Sequence, residues 1–267
     1  MLSLTLLALW AVGPSFTWAA DCTREFLQTA ADSLVAAQKG GDPTLLQPVS
    51  DALVYRENFA DAAFDSGILA SALPIDHSRH DLDTTQCATY TELISATGVE
   101  QRVIGVQMYF TDNTVSKIDA LVTGPDDWLF NATSTLDWAS KENWDVIPEA
   151  DRDTREVIQA AADAYCDIFS DKSVVVPWGH PCARLEGGLY TGNGGPDDRC
   201  DVGIPSGVSL VDRRYVIDET VGTVSVFLSF ATIPDSHEFR VEKGKLRFVH
   251  TLTVMTAKGN GASKERR

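Results

Sequence analysis

The chain has 267 residues, 44% of them apolar, which is enough to bury one large core or two modest ones. Its 38 acidic side chains against 22 basic ones give a formal charge of −16. Such a surface repels phosphate backbones, so nucleic acid is excluded as a partner. The basic C-terminal stretch KGNGASKERR reads as a disordered tail and points to no partner.

At the N-terminus, Leu2 to Val12 form an apolar run followed by the small residues Ala19 and Ala20. This is the pattern of a signal-peptide core and its cleavage site. At roughly 11 residues the run is too short to cross a bilayer, and no other stretch approaches that length, so no membrane span is expected. Residues 1–20 are read as a signal peptide, and the mature chain as secreted or held in the lumen of the secretory pathway.

The mature chain opens with TREFLQTAAD at Thr23, and at Thr154 it reads TREVIQAAAD. In the first stretch Phe26, Leu27, Ala30, Ala31, Leu34 and Val35 recur at i, i+3, i+4, the spacing of one helix face. Asp21 precedes the start as a candidate cap, and Gly40-Gly41-Asp42-Pro43 ends the helix. A short strand-like run, Leu53 to Asn58, contains Glu57. Asp76-His77-Ser78-Arg79-His80-Asp81-Leu82-Asp83 follows Pro74, lacks metal-ligand spacing and reads as a solvated loop. Arg102 to Phe110 reads as a strand. From Phe110 to Ile118 the pattern is strand, tight polar turn, strand, with Asn113 where positive φ is favoured.

The segment from Gly124 to Asp153 carries Trp128, Trp138, Trp144 and two prolines, and is expected to pack between two units. Asn131-Ala132-Thr133 within it is a glycosylation sequon, meaningful in a secreted chain. The second helix, with Asp153 as candidate cap, presents Val157, Ile158, Ala161, Ala162, Tyr165, Ile168 and Phe169. The run Ala183 to Gly188 repeats the short strand, with Glu186 in place of Glu57. Strands are expected over Val208 to Ile217 and Gly222 to Ile233, and Val241 to Val249 repeats the hairpin with Gly244 at the turn. Helix starts and hairpins both recur at an offset of 131, so the chain is two copies of one unit: 21–140 and 141–258, with 259–267 as the tail.

None of the five cysteines has metal-ligand spacing. Cys182 and Cys200 flank a Gly/Asn/Asp-rich loop, and a disulfide closing it contributes roughly 3 kcal/mol on loop entropy. Cys22 with Cys87 is the second expected pair, and Cys166, inside the second helix, a buried free thiol.

A helix followed by a curved antiparallel sheet, twice over, is an α+β plan. It resembles the cone-shaped fold of nuclear transport factor 2, scytalone dehydratase and ketosteroid isomerase. The Cys22 start with Arg24-Glu25, the Glu57-Asn58 and Glu186-Gly187 strand ends, the Cys182/Cys200 pair and Asp212-Arg213-Arg214-Tyr215 together resemble secreted fungal tandem-cone proteins. That family includes hetero-Diels–Alderases that join a humulene-type alkene to a tropolone ortho-quinone methide. The resemblance implies a cofactor-independent cyclase of meroterpenoid biosynthesis with polyketide and terpenoid substrates, in a monomer or homodimer.

Candidate site residues follow from position. Asp119 and His250 are equivalent across the repeat; a buried histidine among apolar neighbours is a candidate acid or base, or a satisfied core residue. Arg213 and Arg214 alternate on one strand, so one faces inward and can polarise an oxygen. The expected catalytic set is Asp119, His250 and Arg214, with Tyr55, Tyr109, Trp178 and Tyr190 as aromatic walls. Glu57 and Glu186 read first as structural hydrogen-bond partners. No nucleophile elbow, phosphate loop or dinucleotide fingerprint occurs, and neither cofactor nor metal is implied. The alternatives to a cyclase are a small-molecule binding protein without catalysis and a cone-fold isomerase or dehydratase.

Overall fold

The computed structural model describes residues 22–255; the expected signal peptide and basic tail lie outside them. The chain begins with α1 (Arg24–Gly40), followed by β1 (Val49–Glu57), β2 (Ala60–Asp61), β3 (His77–Asp83), β4 (Ala88–Ser95), β5 (Arg102–Thr111) and β6 (Thr114–Thr123). A connector carrying α2 (Ala132–Ala139) leads to α3 (Arg155–Asp167). Then come β7 (Trp178–Glu186), β8 (Leu189–Tyr190), β9 (Leu210–Asp218), β10 (Thr223–Phe230), β11 (Ile233–Glu242) and β12 (Lys245–Thr253). The strands form two six-stranded sheets of identical plan, ordered β2-β1-β6-β5-β4-β3 and β8-β7-β12-β11-β10-β9. The chain is thus α+β with two similar units, as the repeat implies. Each sheet is mixed rather than wholly antiparallel, because β1 runs parallel to β6 and β7 parallel to β12.

Local chemistry accounts for the boundaries. Thr23 is the N-cap of α1, its hydroxyl accepting from the Phe26 N–H at 3.2 Å. Gly41 ends the helix in the left-handed region at φ 61°. The second helix also starts on its threonine, Thr154. Asp153, expected as its cap, instead accepts the Gly244 N–H at 2.8 Å and ties the helix start to the β11–β12 turn. That turn and its β5–β6 counterpart hold two residues each at positive φ, Lys243-Gly244 and Asp112-Asn113. Gly222 to Ile233, expected as one strand, is split by the reversal at Ala231 and Thr232, both at positive φ.

Asp76 to Asp83 is not a solvated loop. His77–Asp83 is the edge strand of the first sheet, and Asp81, Leu82 and Asp83 are buried. Arg79, Asp83 and the Leu82 N–H are held by partners in the other unit, which the chain supplies 72 to 159 residues later.

Each sheet is covered on both faces. Leu27, Ala30, Ala31 and Leu34 of α1 pack on one face of the first sheet, and Ile158, Ala161, Ala162 and Tyr165 of α3 on one face of the second. The remaining faces meet in a third core of Tyr90, Ile94, Leu121, Val216, Phe227 and Leu252. Double coverage explains why every residue of β4 is buried.

The interface has an internal two-fold. Asp218 takes both oxygens to Arg24 Nη1 (2.7 and 2.8 Å) and accepts the Leu82 N–H at 2.8 Å. Asp83 is held by Arg155 at 3.0 and 2.7 Å and accepts the Ile217 N–H at 2.9 Å. The strand registers put Asp83 and Asp218 at the same position of their units. The arginine of each TRE start therefore grips the other copy, as in an isologous dimer written into one chain. That shared task is why the stretch occurs twice.

A candidate ligand cavity in the second unit

A cavity of about 250 Å³ lies between α3 and the second sheet. Its walls are largely aromatic, with Trp128, Tyr165, Phe169 and Phe230. Into this apolar space come Arg184 and Glu186 from β7, Asp235 and His237 from β11, and Thr251 from β12. Strand pairing explains the convergence: Glu186 is opposite Thr251, Thr251 opposite His237, and Asp235 lies two residues along from His237 on the same face.

These side chains are buried and incompletely satisfied. Arg184 Nε, Asp235 Oδ2, His237 Nδ1 and Thr251 Oγ1 make no aligned hydrogen bond. Arg184 pairs with Glu186 at 3.0 Å and donates to the Tyr165 hydroxyl at 3.3 Å. Burial opposes the Arg184 charge, but Tyr165 and Glu186 beside it hold its pKa above the ordinary value. Burial likewise pushes the Tyr165 phenol up, keeping it a neutral hydroxyl. Asp235 Oδ1 accepts from Thr253 Oγ1 at 2.6 Å, while Oδ2 stands 3.1 Å from His237 Nδ1. Acid–base pairs of this sort often align only with substrate bound. Trp128 closes one side, its indole N–H donating to Glu186 at 2.7 Å.

The first unit is an internal control. By strand register, Arg184, Asp235, His237 and Thr251 occupy the positions of Tyr55, Ile104, Val106 and Ala120. Those four belong to the apolar core under α1, which Leu69 and Leu73 help to fill. Tyr55 donates to Glu57 at 2.5 Å, and Glu57 also accepts the Ile68 N–H, so the Tyr55–Glu57 pair is structural there. An unpaired buried polar group costs on the order of 1–3 kcal/mol. Four such groups in one core, where the sister unit is apolar, mark a place shaped for a ligand.

The residues singled out from sequence fall elsewhere. His250 lies on the opposite face of the second sheet, in the interface between units. Its Nε2 meets Glu142 at 2.6 Å and its Nδ1 meets Glu92 at 3.0 Å, beneath Trp144. Burial would lower its pKa, but Glu92 and Glu142 raise it to about 10. Arg79 joins the cluster, bonding Glu92 at 2.7 Å and Glu238 through both nitrogens, with Trp144 stacked 3.5 Å over it. Glu92, Glu238 and His250 lie within 4.8 Å of one another, a spacing that suits a metal, yet Arg79 already bridges the two carboxylates.

Asp119 and Arg214 are brought together at 3.3 Å, with Lys117 on Asp119 at 2.7 Å. They form the counterpart of the Arg79 cluster across the internal two-fold, and neither lines the cavity. Tyr109 belongs to that group, donating to Gln107 at 2.8 Å. Trp178 packs edge-on against Tyr165, behind the cavity wall. Tyr190 stacks on Trp138, 4.0 Å between centroids, beside a separate open depression. Of the two recurring glutamates, Glu186 reaches the cavity.

Both expected disulfides form, Cys22–Cys87 and Cys182–Cys200, and Cys166 is free and buried, its thiol pushed up by burial. Asn131 is exposed and caps α2, accepting the Ser134 N–H at 3.0 Å. Among the described residues no helix is long and apolar enough to cross a membrane.

Sequence reasoning passed over the cavity set, though one signal was present. In Asp235-Ser236-His237-Glu238-Phe239-Arg240-Val241, an aspartate and a histidine share the alternating face of Phe239 and Val241, and the first copy has Ile104 and Val106 there.

No curated protein and no solved structure gives a significant match to the chain. A family model for a domain of unknown function, DUF8021, matches residues 151–253, the stretch from the start of α3 to the end of β12 that builds the cavity-bearing unit.

Proposed function

We propose that the chain is a cofactor-independent enzyme performing acid–base chemistry on one small, largely apolar molecule held in the second unit. The observation that carries this reading is the set of four buried polar side chains, each with an atom that makes no aligned hydrogen bond, in a cavity whose counterpart is apolar. With Nδ1 turned to Asp235, His237 keeps Nε2 as the atom that takes or gives a proton, and Asp235 stabilises the imidazolium that forms. Arg184 and the Tyr165 hydroxyl supply donors for an oxygen that gains negative charge, in a largely apolar space. Isomerisation and elimination of water both require this combination of a base and an oxyanion donor.

Cavity size bears on the coupling reaction that the resemblance implies. At about 250 Å³ the cavity lies just below the usual range of small-molecule sites, which suits one compact ligand such as a tropolone better than a tropolone together with a humulene-type alkene. This favours a single bound molecule, and an isomerase or dehydratase over a hetero-Diels–Alderase. The secreted location expected from the leader is part of the proposal, and the two disulfides accord with it.

The test is hydrogen–deuterium exchange beside the carbonyl of small cyclic ketones in D₂O. Exchange by the wild type should fall by about 100-fold or more in His237→Gln, within the range a positioned base contributes, with probe affinity little changed. Equal exchange by protein and variant would remove the catalytic reading and leave ligand binding alone.

A further inference from the structure

Resting on the same cavity as the functional site, we infer that its ligand is an uncharged ring compound with two oxygen functions, one an acceptor and one bearing an exchangeable proton. Three observations converge on this class. Aromatic side chains from the connector, α3, the turn after it and β10 (Trp128, Tyr165, Phe169, Phe230) leave a slot suited to a flat apolar body. The unpaired polar atoms lie at two sides of it. On the β7 side Arg184 Nε has no aligned acceptor, and on the β11 side Asp235 Oδ2 stands 3.1 Å from His237 Nδ1 without an aligned hydrogen bond, which leaves the carboxylate open to a proton from the ligand. Strand β12 lies between β7 and β11, and Arg184 is opposite Val249 whereas Asp235 is opposite Thr253, so the two groups spring from backbones about 16 Å apart. A single ring with oxygens at opposite ends spans what remains once the side chains reach inward.

Charge narrows the class. Two carboxylates, Glu186 and Asp235, stand with one guanidinium, Arg184, and with His237 beside Asp235, so while the imidazole is neutral an anion enters against a formal negative balance. A bulky organic cation would gain from the aromatic walls and from Asp235. It would also have to lie against the like charge of Arg184, which at 5% exposure is only weakly screened by solvent. A neutral molecule satisfies both ends without burying a net charge. Thr251, centred between the two sides and without a partner for its hydroxyl, completes the set as donor or acceptor.

Four single-ring probes of similar size separate the possibilities: 4-hydroxyacetophenone, toluene, benzoate and benzyltrimethylammonium, each titrated at pH 6 against the full chain by calorimetry. 4-Hydroxyacetophenone is expected to bind about tenfold or more tightly than the other three. Thr251→Val keeps the side-chain shape and removes a hydroxyl that bonds nothing in the protein. It should weaken 4-hydroxyacetophenone several-fold while leaving the melting temperature the same or higher. Benzoate or the ammonium ion binding as well as the neutral probe would overturn the ligand class and leave the cavity assignment intact. Failure of all four to bind would overturn both. A Thr251→Val protein that melts lower, with unchanged probe affinity, would show the hydroxyl to be structural and also count against the inference.

Discussion

His250 shows how far a side chain's role depends on what surrounds it. From sequence it is a histidine among apolar neighbours; in the fold it is a charged link between Glu92 of one unit and Glu142 of the connector. Its pKa, raised to about 10, makes a stability prediction with a definite sign. Below the unfolded value of about 6.5 the proton is bound in both states and the contribution is complete. Between there and about 10 only the folded protein holds the proton, so stability falls as pH rises. Unfolding free energies from urea titrations at pH 6 and pH 9.5 should differ by an amount on the order of a few kcal/mol. That difference should shrink in His250→Gln; an unaltered difference would show that other groups cause it. Because the His250 side chain lies on the opposite face of the sheet from the cavity, the variant should still bind a cavity ligand.

At the scale of elements, the end of α1 determines what fills the first unit. Gly41 adopts φ 61°, and a Cβ there would lie 2.5 Å from the Ala72 backbone nitrogen. That approach lets the segment after it seat against the helix: Gln38 donates to the Ile68 and Ser71 carbonyls, and Leu73 N–H bonds the Gln38 carbonyl. Leu69 and Leu73 thereby enter the core beneath α1. In the second unit the position equivalent to Gln38 is Phe169, in the turn just after α3, and the cavity stays open. Gly41→Ala should destabilise the protein by about 2 kcal/mol, combining the left-handed φ penalty with the steric conflict. Thermal melts would show it, and a loss of a few tenths or less would mean the segment relaxes without cost.

For the molecule as a whole, the two units are held as a pseudo-symmetric pair, with Arg24–Asp218 and Arg155–Asp83 as reciprocal clamps around Phe227, Tyr90 and Leu252. Residues 124–255 expressed alone would expose that apolar face and leave Arg155 without Asp83. Such a fragment should self-associate, most simply by pairing with a second copy through the face that meets the first unit. Size-exclusion chromatography of the fragment tests this; a stable monomer with the melting temperature of the full chain would show that the interface contributes little.

Much of this architecture was legible in the sequence. The recurrence of TRE, of the hairpins and of the short glutamate strands gave two units, because a duplicated unit repeats the residues that its helix start and turns require. The cysteine spacing gave both disulfides, since chain position alone ranked the loops to be closed. The strand at His77–Asp83 was not legible, because its charges are neutralised by residues distant in the chain, and a local pattern cannot show them. Nor was the cavity. Alternation along a strand separates two faces, but both faces of these sheets are buried, one under a helix and one against the other unit. Only the tertiary structure assigned His250 to the interface, and Asp235 with His237 to the cavity, because that choice depends on which partner covers each face.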